Sequence, residues 1–165
     1  MFAPRYSFSS RWELSHPAFD AYDALYRVRE YPAWWAEFRE VLRVGDGVWR
    51  IVVRSFLPYR ITYMLRRTIA DRATGCLEST VDGDIVGRIG WKIDATPTGS
   101  VLYFREEVRT NIDELNLLAP VARWAFEANH RVMMHNGHIG LRGLLAGRSA
   151  RPLRPPIRRP GEGFR

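Results

Sequence analysis

The sequence predicts an α+β domain: a curved antiparallel sheet of about seven strands wrapped around a long C-terminal helix, with two short helices after the first strand. Three observations carry the prediction. Apolar and polar residues alternate from Tyr6 to Leu14, and again in successive runs from Val41 to Thr110, which marks strands with one buried face. The connections between these runs are too short for crossovers, so neighbouring strands must be antiparallel. Apolar residues then recur every three or four positions from Asn116 to Leu145, and this is the one element long enough to cover the sheet's apolar face.

In the first strand Tyr6, Phe8, Trp12 and Leu14 share one face, while Ser7, Ser9, Arg11 and Glu13 share the other. Ser15 is a good N-cap and Pro17 suits a first turn, so a helix is expected to start there with Phe19, Tyr22, Leu25 and Tyr26 as its stripe. Tyr31-Pro32 interrupts it, and Ala33–Phe38 reads as the second short helix. Gly45-Asp46-Gly47 signals a hairpin. Trp49, Ile51, Val53 and Leu57 alternate with Arg50 and Arg54; Ile61, Tyr63, Leu65 and Ile69 alternate with Arg60, Thr62, Arg66 and Thr68. Pro58-Tyr59, Asp71–Gly75, Gly83-Asp84 and Thr96–Gly99 mark turns. Cys76–Asp82 is a strand, Ile89, Trp91 and Ile93 share a face, and the last strand, Val101–Thr110, lines up Leu102, Phe104 and Val108. In the final helix Leu118, Val121, Ala122, Ala125, Ala128 and Val132 form the expected inner stripe, which Trp124, Phe126, Met133, Leu141 and Leu144 widen. Gly137, Gly140 and Gly143 weaken its last turns and suggest a kink or an end near Asn136.

At 165 residues, 46% hydrophobic and 13% aromatic, the chain is one ordinary domain able to bury a core without staples. Its single cysteine, Cys76, excludes an internal disulfide framework and a cysteine-based zinc site, and suits a reducing, cytoplasmic setting. The N-terminus shows no signal-peptide pattern, and no apolar run approaches the ~20 residues of a membrane span. The net charge of +7 is unevenly placed: residues 148–165 hold six arginines, four prolines and one glutamate. We therefore set the domain at residues 1–147 and read 148–165 as an Arg/Pro-rich disordered tail. The tail is either solubilising or a contact for nucleic acid or anionic lipid. The arginines of the body are scattered, so no specific nucleic-acid surface is expected. His130, His135 and His138 do not cluster with an acid, and Gly83, Gly87 and Gly90 form no dinucleotide fingerprint, so neither a metal nor a cofactor is expected.

Four strings narrow the reading: YPAWW (Tyr31–Trp35), SFLPY (Ser55–Tyr59), GDIVGRIGW (Gly83–Trp91), and LNLLAP followed by FEANHRVMMHNGHIGLRGLL (within Leu115–Leu145). With the element order, they resemble the helix-grip fold of the START and birch-pollen-allergen superfamily, often called SRPBCC, and within it the bacterial polyketide cyclase/dehydrase-type branch. The resemblance covers roughly residues 6–146. It implies a cavity between sheet and helix, and functions ranging from lipid carriers and hormone receptors to aromatase/cyclases. In that branch the last strand usually has an aromatic residue where this sequence has Glu106.

Trp49, Tyr63, Trp91, Phe104 and Trp124 fall on expected inner faces, either as the wall of a ligand pocket or simply as core. Trp34 and Trp35, about 100° apart on a short helix, can place at most one ring squarely in the mouth. Asn129 continues the inner stripe and His130 stands one step around. The two either fix the helix to the sheet or let His130 shuttle a proton in an aldol-type closure and dehydration. Arg67 shares parity with Tyr63 and Leu65. Inward, it could hold a carboxylate or enolate oxygen; a bend in the strand would leave it on the surface. Glu106 shares parity with Phe104 and Val108, and is either a functional acid or turned to solvent by a β-bulge. Arg67 and Glu106 together would make a plausible buried pair. The function expected is binding of a hydrophobic small molecule (lipid, quinone or polyketide-like) in an internal cavity. The alternative is an aromatase/cyclase-like enzyme using Arg67, Glu106 and His130. The sequence leaves monomer and homodimer open.

Overall fold

Alternation decides the sheet. A computed structural model describes residues 5–112 and 119–149. Its strands are β1 (Arg5–Leu14), β2 (Phe38–Gly45), β3 (Val48–Val53), β4 (Ile61–Asp71), β5 (Cys76–Gly83), β6 (Ile85–Thr96) and β7 (Gly99–Thr110). They form one seven-stranded sheet in the order β1-β7-β6-β5-β4-β3-β2, and every pairing is antiparallel. From β2 onward each strand pairs with its successor through a short turn. β1 instead lies beside β7, so the chain between β1 and β2 must cross from one edge of the sheet to the other. It does so as α1 (Ala18–Tyr26) followed by a 3-10 turn (Val28–Ala33). The long helix α2 (Ala119–Ser149) closes the fold. No helix among the described residues is long and apolar enough to cross a membrane.

Three local expectations need correction. The first helix begins at Ala18 rather than at Ser15: Pro17 occupies the N-cap with no side-chain cap bond, and its carbonyl accepts from Asp20 N and Ala21 N at 3.1 and 3.3 Å. The second short element is the 3-10 turn at Val28–Ala33, not a helix over Ala33–Phe38. Pro32 has no N–H to donate, and the turn closes through Trp34 N and Trp35 N, which both donate to Tyr31 O at 3.1 and 2.8 Å. Phe38 already belongs to β2. The last helix runs without interruption to Ser149, beyond the expected Leu145 and with no end near Asn136. The tail from residue 150 onward lies outside the described residues.

Close packing explains why glycines interrupt the apolar pattern of α2 without ending it. A Cβ on Gly137 would stand 2.4 Å from Trp35 Cε2, and one on Gly140 would stand 1.7 Å from Trp34 O. The Trp34-Trp35 segment therefore lies directly on the helix. Trp35 Nε1 donates to Met133 O at 2.9 Å. Asn136 Nδ2 donates to Glu37 Oε1 at 2.6 Å, and Glu37 is a buried carboxylate that the sequence reading did not single out. Helix propensity lost at the two glycines, roughly 1 kcal/mol each, is offset by this contact.

The face that α2 presents to the sheet is only part of the predicted one. Phe126 and Leu141, which widened the predicted stripe, are buried together with Asn129, Met134 and Leu145, whereas Val121, Trp124 and Val132 are exposed. Leu118 and the side chain of Ala122 lie outside the described residues. Both stripes have three-and-four spacing. Only the one through Gly137 and Gly140 lets the backbone approach Trp34 and Trp35.

Candidate functional site

The concave face of the sheet and the inner face of α2 enclose a cavity of about 100 Å³. This is much less than the curl of the sheet would allow, because aromatic side chains fill most of the space. Trp35, Tyr63, Trp91 and Phe104 line it, together with Arg67, Glu106, Asn129 and His130. The sequence reading had named all eight. Trp91 and Phe104 pack at a centroid distance of 4.8 Å, and Trp12 packs on Trp91 at the same distance. The rim includes Ser55, Leu57 and Tyr59, half-buried residues of the loop between β3 and β4.

Three of the predicted wall residues lie elsewhere. Trp124 is 71% exposed on the outer side of α2, a consequence of the helix register. Trp49 is half-buried, packs against the edge of the core and does not reach the cavity. Trp34 packs on α2 at Gly140, so of the tryptophan pair only Trp35 reaches the hollow, as the 100° step requires.

Glu106 points inward. Its pairings with Phe8 on β1 and Ile89 on β6 belong to uninterrupted registers, so no bulge turns it out. It is 8% exposed. Its Oε2 lies 3.2 Å from His130 Nε2, and the His130 ring stacks on Phe8 at 4.0 Å with a 10° interplanar angle. The imidazole is thus held flat between β1 and the carboxylate. His130 thus ties the helix to the sheet inside the cavity wall, while Asn129 Oδ1 beside it has no hydrogen-bond partner.

Arg67 does not pair with Glu106. β4 has a register irregularity between Arg67 and Ile69. The guanidinium sits over the Tyr26 and Trp49 rings at 4.4 and 4.9 Å, and its Nη2 donates to Tyr26 O at 2.9 Å. The two readings of Arg67 merge: the side chain lines the hollow and also straps α1 to β3.

Burial and charge act together on the tyrosines. Burial pushes the Tyr63 phenol far up from its ordinary value, and the nearby Glu106 charge adds to the effect, so Tyr63 remains a neutral O–H at any physiological pH. Burial likewise pushes Tyr59 up to about 12. Tyr31 is also raised by burial, and its hydroxyl donates to Leu25 O at 2.6 Å.

Three polar atoms of cavity-lining residues are buried without a hydrogen-bond partner: Tyr59 Oη, Asn129 Oδ1 and Arg67 Nε. Such groups are normally satisfied, so each calls for an explanation. Sequence reasoning missed Tyr59, which was read only as a turn residue next to Pro58. It also missed Met134, and it placed Phe126 and Met133 on the helix's apolar stripe without assigning them to the cavity. Among the described residues no group of three His, Cys, Asp or Glu side chains is arranged to hold a metal ion.

No family model matches the chain, and no curated protein does. Solved structures do. The Zhui aromatase/cyclase from Streptomyces sp. R1128 superposes with a TM-score of 0.65 at 18% identity, over 90% of this chain and 96% of that one. The di-domain aromatase/cyclase BexL from the BE-7585A biosynthetic pathway gives 0.68 at 15% identity, over 90% of this chain and 51% of that one. A Thalictrum norcoclaurine synthase variant gives 0.61 at 12%, over 91% and 99%. The chain has the helix-grip fold. At these identities the likeness is one of architecture, and what a helix-grip domain does depends on its own wall. In this one the wall is aromatic and methionine-rich, with a Glu–His pair and three unsatisfied polar atoms.

Proposed function

We propose that this domain binds a hydrophobic small molecule that carries polar substituents, within the cavity between sheet and helix. The observation that carries the reading is the set of unsatisfied atoms on Tyr59, Asn129 and Arg67 in a largely apolar wall. Ligand pockets combine apolar lining with a few convergent polar groups. A phenol or hydroxy-ketone would give Asn129 a donor and Tyr59 or Arg67 an acceptor. A hollow near 100 Å³ is on the scale of one aromatic ring. Larger guests of quinone or polyketide size require the rim at Leu57 and Tyr59 to move, or Met133 and Met134 to change rotamer, which unbranched thioether side chains do readily. A cytoplasmic setting fits the free Cys76.

Calorimetric titration with phenol and toluene tests the proposal. Phenol is expected to bind one-to-one and about tenfold more tightly than toluene, the worth of one added hydrogen bond. Asn129→Leu is expected to erase the difference. Absence of saturable binding by either compound would overturn the reading.

A second reading has its own observation. Glu106 and His130 form a hydrogen-bonded acid–base pair in the cavity wall, and aromatase/cyclases are among the structural neighbours. In a bound poly-β-keto chain the His130–Glu106 pair would take a proton from a carbon between two carbonyls. The resulting enolate would attack a second carbonyl, and the returned proton would assist loss of water. Arg67 and the neutral Tyr63 O–H would stabilise developing oxyanion charge. Glu106→Gln and His130→Gln are expected to abolish ring closure of a short poly-β-ketone while keeping phenol binding. Unchanged closure rates would rule out this role for the pair.

A further inference from the structure

The outer face of α2 carries an apolar stripe that no other described part of the domain covers. Val121 and Trp124 are 70% and 71% exposed, Ile139 54% and Val132 42%. With the half-buried Ala125 and Ala128 they recur at spacings of three, four and seven from residue 121 to 139, which is one helix face roughly 27 Å long. Apolar side chains exposed in such a run, rather than scattered singly, mark an interaction surface.

The charge around the stripe is one-sided. Arg131 and Arg142 follow Ala128 and Ile139 by three residues, so they stand on the same face, and both are exposed. Arg123 and Arg148 lie on the other side of α2, and Arg148 pairs with Glu30 at 3.2 Å. The helix has a single acidic residue, Glu127, and Arg123 already pairs with it at 3.1 Å. The sixteen residues after the helix add five arginines and one glutamate.

We propose that this face docks on an anionic lipid surface. The helix lies flat, Val121, Trp124 and Ile139 enter the interfacial layer, and the arginines meet lipid phosphates. A second copy of the chain fits less well, because pairing two such faces brings Arg131 and Arg142 against their like. A nucleic acid would take the arginines and leave the apolar stripe in water. Docking stands apart from the binding proposal and holds even with the cavity empty.

Flotation of the full-length protein tests the proposal, using vesicles of phosphatidylcholine plus phosphatidylserine and vesicles of phosphatidylcholine alone. The protein is expected to float with the mixed vesicles at low salt and not with the neutral ones. The double variant Trp124→Gln, Ile139→Gln is expected to bind at least about tenfold more weakly, since two apolar side chains no longer leave water. Both positions are exposed, and an unchanged circular dichroism spectrum confirms that the variant is folded. A full-length chain with Arg151, Arg154, Arg158 and Arg159 changed to Gln is expected to keep most of its binding. The proposal is overturned by no flotation with mixed vesicles, by equal flotation of the double variant, or by loss of all binding in the tail variant. It is also overturned if sedimentation shows a dimer that the double variant abolishes.

Discussion

Two side chains 24 positions apart, Glu106 and His130, settle a question that parity alone had left open. Alternation put Glu106 on the inner face of β7, and the unbroken registers on both sides kept it there. Its partner was illegible, because which residue of a helix meets a given strand is a tertiary fact. Arg67 shows the opposite case: its parity read inward, but the irregularity after it and the rings of Tyr26 and Trp49 hold its guanidinium. A carboxylate and an imidazole each about 10% exposed depend on each other. His130→Ala leaves Glu106 buried and unpaired and is expected to cost about 3 kcal/mol in urea denaturation. Glu106→Gln keeps a hydrogen-bonding group and is expected to cost about 1 kcal/mol or less. Equal, small losses for both variants would mean that the pair is effectively solvated.

At the scale of elements, strands were easier to read than helices. A period of two has only one partition into faces, so β1 and β4 to β7 followed directly from the sequence. α2 had two apolar stripes of the same period, and the more regular one proved to face outward. The deciding signal lay in the glycines, which had been read as weakness: Gly137 and Gly140 are where Trp34 and Trp35 seat. Three alanine substitutions separate the two views. Gly140→Ala and Gly137→Ala each gain about 1 kcal/mol of helix propensity. They are nonetheless expected to destabilise by a net 2 kcal/mol or more, because the new Cβ meets a backbone oxygen or an indole ring. Gly140→Ala is expected to be the worse, since its clash is with backbone. At Gly143 no atom lies within 4 Å of an added Cβ, so Gly143→Ala is expected to raise stability by roughly 0.8 kcal/mol. Thermal melts of the three variants give the ranking, and a stabilised Gly140→Ala would contradict the packing described.

The whole molecule is a sheet folded over a helix with its interior nearly filled by rings. The curl of the sheet was legible, but the volume left inside was not, since that depends on the side-chain packing of Trp35, Tyr63, Trp91 and Phe104. An aromatic interior makes the fold sensitive to base. Tyr31 and Tyr63 have folded pKa values raised by burial, so their contribution is fully present below the unfolded value near 10 and is lost as pH rises above it. Over that range the unfolded chain releases these two protons and the folded chain keeps them. Together they are expected to lower stability by about 3 kcal/mol per pH unit above pH 10, with Tyr59, also raised by burial, adding to the fall. Urea midpoints across that range check this, and Tyr63→Phe is expected to reduce the slope by about 1.4 kcal/mol per pH unit. The most direct measurement for the molecule is a crystal soaked with a bromophenol. We expect anomalous bromine signal inside the hollow, with the phenol oxygen within hydrogen-bond distance of Asn129 or Tyr59. Bromine found only on the outer surface, with the interior closed and unchanged, would contradict the account.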